Sequence, residues 1–121
     1  MPEQADNLRK RVKEFAVRVL RFVRTLPRDP ATDAVARQLA KSGPGVSSNY
    51  HSAGRARSRT EFIARLGIVV DEADETEHWL FMIRASEMAA APELEWLTKE
   101  AGELRAIFSA SLKTARSNHR R

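Results

Sequence analysis

Glu72, Glu75 and His78 follow one another at three-residue steps, which sets all three along one side of a helix. Carboxylates and an imidazole on one helical face are the ligand type of a di-metal centre in a four-helix bundle. Such a centre needs a Glu-x-x-His pair on each of two helices and a Glu from each of the other two. Glu75 and His78 form one pair, but there is no second, and the first helical segment offers only Glu14. The expectation is therefore no metal, with Glu72 and Glu75 part of an acidic stripe that faces solvent or another subunit. Nucleophilic chemistry fares no better. The serines lie outside any nucleophile-elbow pattern, three histidines do not furnish a triad, and Gly43-Pro44-Gly45 lacks the lysine and spacing of a phosphate loop. Cysteine is absent, which excludes thiolate chemistry and Cys-based zinc sites. No catalytic residue and no cofactor are expected, and the chain reads as a non-enzyme.

The cations carry more information. Residues 1–60 hold 13 Lys/Arg against 5 Asp/Glu, whereas residues 61–121 hold 8 against 11. Arg9, Lys10, Arg11 and Lys13 crowd the start of the first amphipathic segment, and Arg18, Arg21 and Arg24 extend the charge along it. Arg55, Arg57 and Arg59 alternate just beyond Tyr50 and His51. Arginines and lysines grouped in this way suit a phosphate backbone. Arg9, Lys10, Arg11, Arg18, Arg55, Arg57 and Arg59 are the candidate nucleic-acid contacts. The competing reading has the same cations on ordinary solvated faces, paired to Asp71, Glu72, Asp74, Glu75 and Glu77 within the bundle or between copies.

The elements that position these residues follow from apolar period. Leu8, Val12, Phe15, Val19, Phe22 and Leu26 recur at alternating steps of four and three, the stripe of a helix packed at a shallow angle. Pro27 and Pro30 end that helix, and Thr32 or Asp33 caps the next. Val35, Leu39, Ser42, Val46, Asn49 and Ala53 keep the rhythm across Gly43-Pro44-Gly45, so one helix, kinked there, is preferred to a turn. Asn49 falls on this stripe, where a bond to a carboxylate of the third helix would set the register. Ser58 and Glu61 have capping-box spacing, with Phe62, Leu66, Val69, Ala73, Thr76, Leu80 and Ile83 behind them. Trp79 is placed to cover a bundle edge or a subunit contact. Pro92 opens a fourth helix through Leu94, Leu97, Ala101, Leu104 and Phe108, and the polar tail Ser117–Arg121 is expected to fray. The expectation is one all-α domain over residues 1–121, an antiparallel up-down-up-down four-helix bundle with helices near 6–26, 32–54, 58–89 and 92–116.

The start Met-Pro-Glu-Gln-Ala-Asp has no signal-peptide character, and no stretch approaches 18 apolar residues. A cytoplasmic protein without membrane contact is expected.

Gln38-Leu39 through Ser42, Val46 and Asn49, then Arg57-Ser58, Glu61-Phe62 and Asp71-Glu72-Ala73-Asp74-Glu75, resemble one bacterial family. These are the four-helix-bundle proteins encoded in intervening sequences of 23S ribosomal RNA genes. The match lies mainly in residues 25–83. Where many members read Asn-Ile-Ala-Glu-Gly, this chain has Asn49-Tyr50-His51-Ser52-Ala53. The resemblance implies a homo-oligomeric ring, commonly a pentamer. It also implies a relation to the accessory protein of diversity-generating retroelements, which binds nucleic acid and a reverse transcriptase. Two functions stay open: a basic scaffold for RNA, DNA or a ribonucleoprotein, and a protein-interaction module that uses its charges, with Asn49, Glu61, Phe62, Glu72, Glu75 and Trp79, for assembly.

Overall fold

A computed structural model describes residues 2–119. Four helices follow in order: α1 (Pro2–Val23), α2 (Pro30–Ala53), α3 (Arg59–Ala85) and α4 (Pro92–His119). Each packs against its two neighbours in a closed square. α1 and α3 stand on one diagonal and α2 and α4 on the other, without close approach across either. This is the all-α up-down-up-down bundle that the four stripes predict. The stripes meet in the centre, where Val12, Phe15, Val19, Leu39, Val46, Leu66, Val69, Leu80, Ile83, Leu97, Leu104 and Phe108 are sealed from solvent. Arg120 and Arg121 of the expected frayed tail lie outside the described residues, and Ser117 to His119 continue α4.

Gly43-Pro44-Gly45 lies inside α2, and the glycines explain themselves by what approaches them. A Cβ on Gly43 would stand 2.6 Å from Val19 Cγ1 of α1, and one on Gly45 would stand 2.5 Å from Glu72 Oε2 of α3. Both neighbours lean directly on the α2 backbone, which only glycine permits. Beside this crossing, a buried hydrogen bond of 2.9 Å joins Thr76 Oγ1 of α3 to Ser42 Oγ of α2, and Thr76 also bonds Glu72 O at 2.7 Å.

Several helix ends differ from expectation: α1 already begins at Pro2 and α4 runs on to His119. α2 begins at Pro30 rather than at residue 32, because the side chain of Asp29 is the cap and Pro30 sits where its missing N–H is not needed. Asp29 accepts from both the backbone N–H and the hydroxyl of Thr32, each at 2.9 Å. These bonds hold its carboxyl below the usual range. At α3, Ser58 Oγ accepts from Glu61 N at 3.0 Å as the capping box requires. The return bond differs, since Glu61 Oε2 accepts from Arg57 N at 3.2 Å instead of from Ser58. α3 stops at Ala85, not 89. Glu87 takes φ 56°, with Glu87 N donating to Arg84 O and Met88 N to Ile83 O. This is the left-handed helix stop usually assigned to glycine. α1 ends at Val23, short of Leu26, which still reaches the core.

Candidate nucleic-acid interface

The antiparallel order brings the start of α1, the end of α2, the start of α3 and the end of α4 to one end of the bundle. Two contacts tie these elements together. Arg9 Nη2 lies 3.9 Å from the Cβ position of Gly54, at the carbonyl-rich end of α2 where a cation is favoured. Thr60 Oγ1 lies 3.5 Å from His119 Nε2. Arg55 and Arg57 sit in the α2–α3 connection and Arg59 opens α3, and all three are exposed. Arg57 is 92% exposed, and its only acidic neighbour among the described residues is Glu61 at 3.9 Å. Lys10 and Arg9 complete the arc on α1, Arg9 sharing its charge with Asp6 at 2.5 Å. Among the described residues Lys10, Arg55 and Arg59 have no carboxylate within ion-pair distance.

Two cations not anticipated from the sequence extend this end. Lys113 and Arg116, with Ser109, Ser117, Val70 and Leu112, line an open groove of about 590 Å³ between α3 and α4. Their three-residue spacing at the end of α4 was the available signal.

Arg11 and Arg18, by contrast, are turned away from this end and spent within the fold. Arg11 grips Glu100 of α4 with two bonds, Nε at 2.8 Å and Nη2 at 2.7 Å, and also reaches Glu103 at 3.3 Å. Arg18 grips Glu93 in the same way, at 2.9 and 2.5 Å, with its guanidinium 3.4 Å above the Trp96 ring centroid. The hydrogen bonds raise both arginine pKa values, against a smaller opposing effect of burial, and Arg18 holds the Glu93 carboxyl below its usual range. The stripe Asp71–Glu77 does not neutralise α1, because α3 is diagonal to it. Among the described residues only Glu77 of that stripe takes an arginine, Arg105 of α4 at 2.5 Å.

The remaining sequence candidates divide between the core and the surface. Asn49 Nδ2 donates to Gly45 O of its own helix at 2.8 Å, not to a carboxylate of α3. The register pair is instead Ser42 and Thr76, polar residues that sit on both apolar stripes. Tyr50 packs inward, its ring centroid 5.0 Å from that of Phe108, so it is not a free stacking platform beside the arginines. Burial raises its phenol pKa. Phe62 and Trp79 are half-buried against the core, Trp79 edge-on to His78 with centroids 4.8 Å apart. Glu75 and His78 face outward, while Glu72 turns toward α2. Among the described residues no three carboxylates or histidines gather closely enough to share a metal ion.

Glu72 is electrostatically uncomfortable. Its Oε2 is buried against Gly45 without a hydrogen-bond partner. Burial first, then Glu75 and Asp71, raise its pKa, and Lys41 offsets this only in part. The folded state thus holds the proton more tightly than the unfolded chain. The contribution of Glu72 to stability is therefore greatest below the unfolded value near 4.5 and is lost as pH rises through the folded one. Glu72→Gln removes the charge at nearly constant volume. It is expected to stabilise the protein by about 1 kcal/mol at neutral pH, the lower end for an unsatisfied buried group. The gain should fade at pH near ~3.5, where the wild-type carboxyl is protonated in both states. Urea titrations at the two pH values check this, and a variant no more stable than wild type at pH 7 contradicts it.

A square, antiparallel bundle with a sealed core and a free cationic end defines the class: a small all-helical bundle protein. None of its helices is long and apolar enough to cross a membrane. The chain belongs to the 23S rRNA-intervening sequence protein family, whose pattern it matches over residues 6–110. It is similar to a crystal structure of a protein with unknown function from the S23 ribosomal protein family of Bacteroides thetaiotaomicron, with TM-score 0.81 and 27% identity. That likeness covers 90% of this chain and 97% of the other. None of the curated proteins matches the chain.

Proposed function

We propose that this protein is a non-enzymatic, homo-oligomeric bacterial scaffold of the cytoplasm that holds RNA, or a ribonucleoprotein, by its phosphate backbone at the basic end of each bundle. The observation that supports it is the gathering of unpaired cations at this end. Arg11, Arg18, Arg84 and Arg105 are tied to carboxylates elsewhere in the fold, and Lys13, Arg21 and Arg24 are spread along the outer face of α1 and just past its end. Arg55 and Arg59, with Lys10 beside them, converge from three elements and point outward without a carboxylate partner among the described residues. Cations left without partners at one place hold counterions loosely and exchange them for phosphates. Fixed ion pairs on the flanks rule those arginines out as contacts at little energetic expense. The ring of five implied by the resemblance would repeat this end five times, multiplying weak contacts into useful avidity. A DNA strand, or a reverse transcriptase bound to its RNA, falls within the same reading.

The test is a fluorescence-anisotropy titration with a labelled hairpin RNA. Affinity is expected to fall steeply between 50 and 200 mM salt, by roughly tenfold or more if several phosphates are contacted. Arg55→Ala, Arg57→Ala and Arg59→Ala together should weaken binding about tenfold or more at low salt and flatten the salt slope by up to about three phosphates' worth. Absence of binding at 50 mM salt, or a triple variant with wild-type affinity, defeats the proposal.

A further inference from the structure

Ser109, Leu112, Lys113, Arg116 and Ser117 recur at steps that put all five on one face of α4 near its end. With Val70 of α3 they line the groove of about 590 Å³, within the roughly 300–1,000 Å³ typical of sites that hold small molecules. Its floor is apolar and fixed, since Leu112 belongs to the core and Val70 is packed against it. Its rim is cationic. Lys113 and Arg116 are exposed and have no carboxylate within ion-pair distance among the described residues. Nor do the hydroxyls of Ser109 and Ser117 bond within the fold among those residues, whereas Ser111, on another face of α4, donates to Ile107 O.

The groove adjoins the arginine-bearing end. Ser117 stands two residues before His119, whose Nε2 is 3.5 Å from Thr60 Oγ1, next to Arg59. Cations therefore follow one another from Arg59 to Arg116 and Lys113, and no acidic residue enters the lining. Farther along the same α3–α4 seam the sign reverses, because Asp74, Glu75 and Glu77 line the next groove. A polyanion that enters from the arginines is held in the first groove and repelled from the second.

A free phosphate would use the rim and leave the floor wet. A nucleotide uses both: its phosphate meets Lys113 and Arg116, and the face of its base lies on Leu112 and Val70, with the Arg116 guanidinium suited to stacking as well as to pairing. In an acidic peptide the charged residues carry no apolar face, whereas every nucleotide joins a charge to a flat ring. A duplex cannot reach the floor, because its bases are stacked on one another and the cleft lies between helices packed about 8–10 Å apart.

We propose that this groove takes one unpaired nucleotide of a single-stranded RNA segment, so that the protein distinguishes single-stranded from double-stranded RNA. The proposal rests on the reading of the basic end as an RNA contact and adds the form of RNA that this contact favours.

The test is a pair of anisotropy titrations at one low salt concentration, with a labelled oligouridylate and a labelled blunt RNA duplex of equal phosphate number. Wild type should bind the single strand about tenfold more tightly, the effect of one base stacked on a protein surface. Lys113→Ala with Arg116→Ala, both exposed positions, should lower affinity for the single strand about tenfold and for the duplex by less than about threefold. Ser109→Leu fills the floor at constant charge and should likewise weaken the single strand alone. The triple arginine variant, in contrast, should weaken both RNAs to a similar extent. Equal affinity of wild type for the two RNAs, or equal losses on both in the Lys113 and Arg116 variant, overturns the inference and leaves the basic end in place. Binding to neither RNA overturns both readings. Polyglutamate of equal charge should displace the oligouridylate far less well than unlabelled oligouridylate does, and equal displacement would assign the groove to an acidic protein instead.

Discussion

Gly43→Ala is expected to destabilise the bundle by about 2 kcal/mol, although alanine is the better helix former by about 1 kcal/mol. The added methyl would stand 2.6, 3.0 and 3.1 Å from Cγ1, Cβ and Cγ2 of Val19. Val19 is fully buried and β-branched, so it has neither a free rotamer nor empty space into which to turn. Relief has to come from moving α1 away from α2, which loosens Phe15 and Phe22 as well. Overpacking of that kind costs typically 1–3 kcal/mol, and a stiff neighbour places this case near the top, roughly 3 kcal/mol before the helix-propensity gain. For a chain of this length the change lowers Tm by about 8 °C. Val19→Ala alone should also destabilise, by about 2 kcal/mol, through lost contacts and a cavity. The double variant is expected to be more stable than the sum of the two by at least about 1 kcal/mol, since the new methyl occupies the space vacated. A Gly43→Ala protein as stable as wild type, or strict additivity in the cycle, would show that α1 does not rest on this backbone.

The second large effect is an asymmetry at the α1–α4 seam. Arg11→Ala should cost about 2 kcal/mol and Glu100→Ala about half of that. Glu100 is a buried carboxylate with 11% of its side chain exposed, held by the two prongs of Arg11. Taking away the arginine strands that charge beside Leu97 and Leu104. Breaking a fully buried pair costs about 3–5 kcal/mol, and the 35% exposure of the Arg11 side chain reduces the figure. When the glutamate is removed instead, Arg11 keeps Glu103 at 3.3 Å and access to water. Surface pairs such as Arg57–Glu61 should contribute within about 1 kcal/mol. Denaturant unfolding of the two single variants measures the difference, and equal losses would count against a buried carboxylate as its origin.

The architecture was legible because each helix repeats its apolar stripe at steps of four and three, which burial alone imposes. The chain direction of α2 across Gly43-Pro44-Gly45 was legible for the same reason: Val35 through Ala53 keeps one phase. What turned a turn-forming tripeptide into helix was invisible, since it depends on Val19 and Glu72 arriving from two other helices. Helix ends were misplaced where one residue has two roles. Pro30 reads equally as a stop and as a first helical residue, and Glu87 performs a left-handed stop without the glycine that announces one. Arg55, Arg57 and Arg59 could be placed at a connection from their neighbours in sequence. The fate of Arg11 and Arg18 could not, because the stripe tells which side of α1 faces the core but not which neighbour flanks it. Their partners, Glu100 and Glu93, are 89 and 75 residues away.

That distance has a kinetic meaning. Three of the four seams join helices consecutive in the chain, so they close through connections of a few residues and need little search. The α1–α4 seam alone waits on a loop spanning most of the molecule, and there the two-pronged pairs of Arg11 and Arg18, with Trp96, take the place of close helix contact. Assembly of α2, α3 and α4 can proceed by short-range zipping, with docking of α1 against α4 as the late step. The arginines then act on how long the finished bundle stays shut more than on how fast it forms.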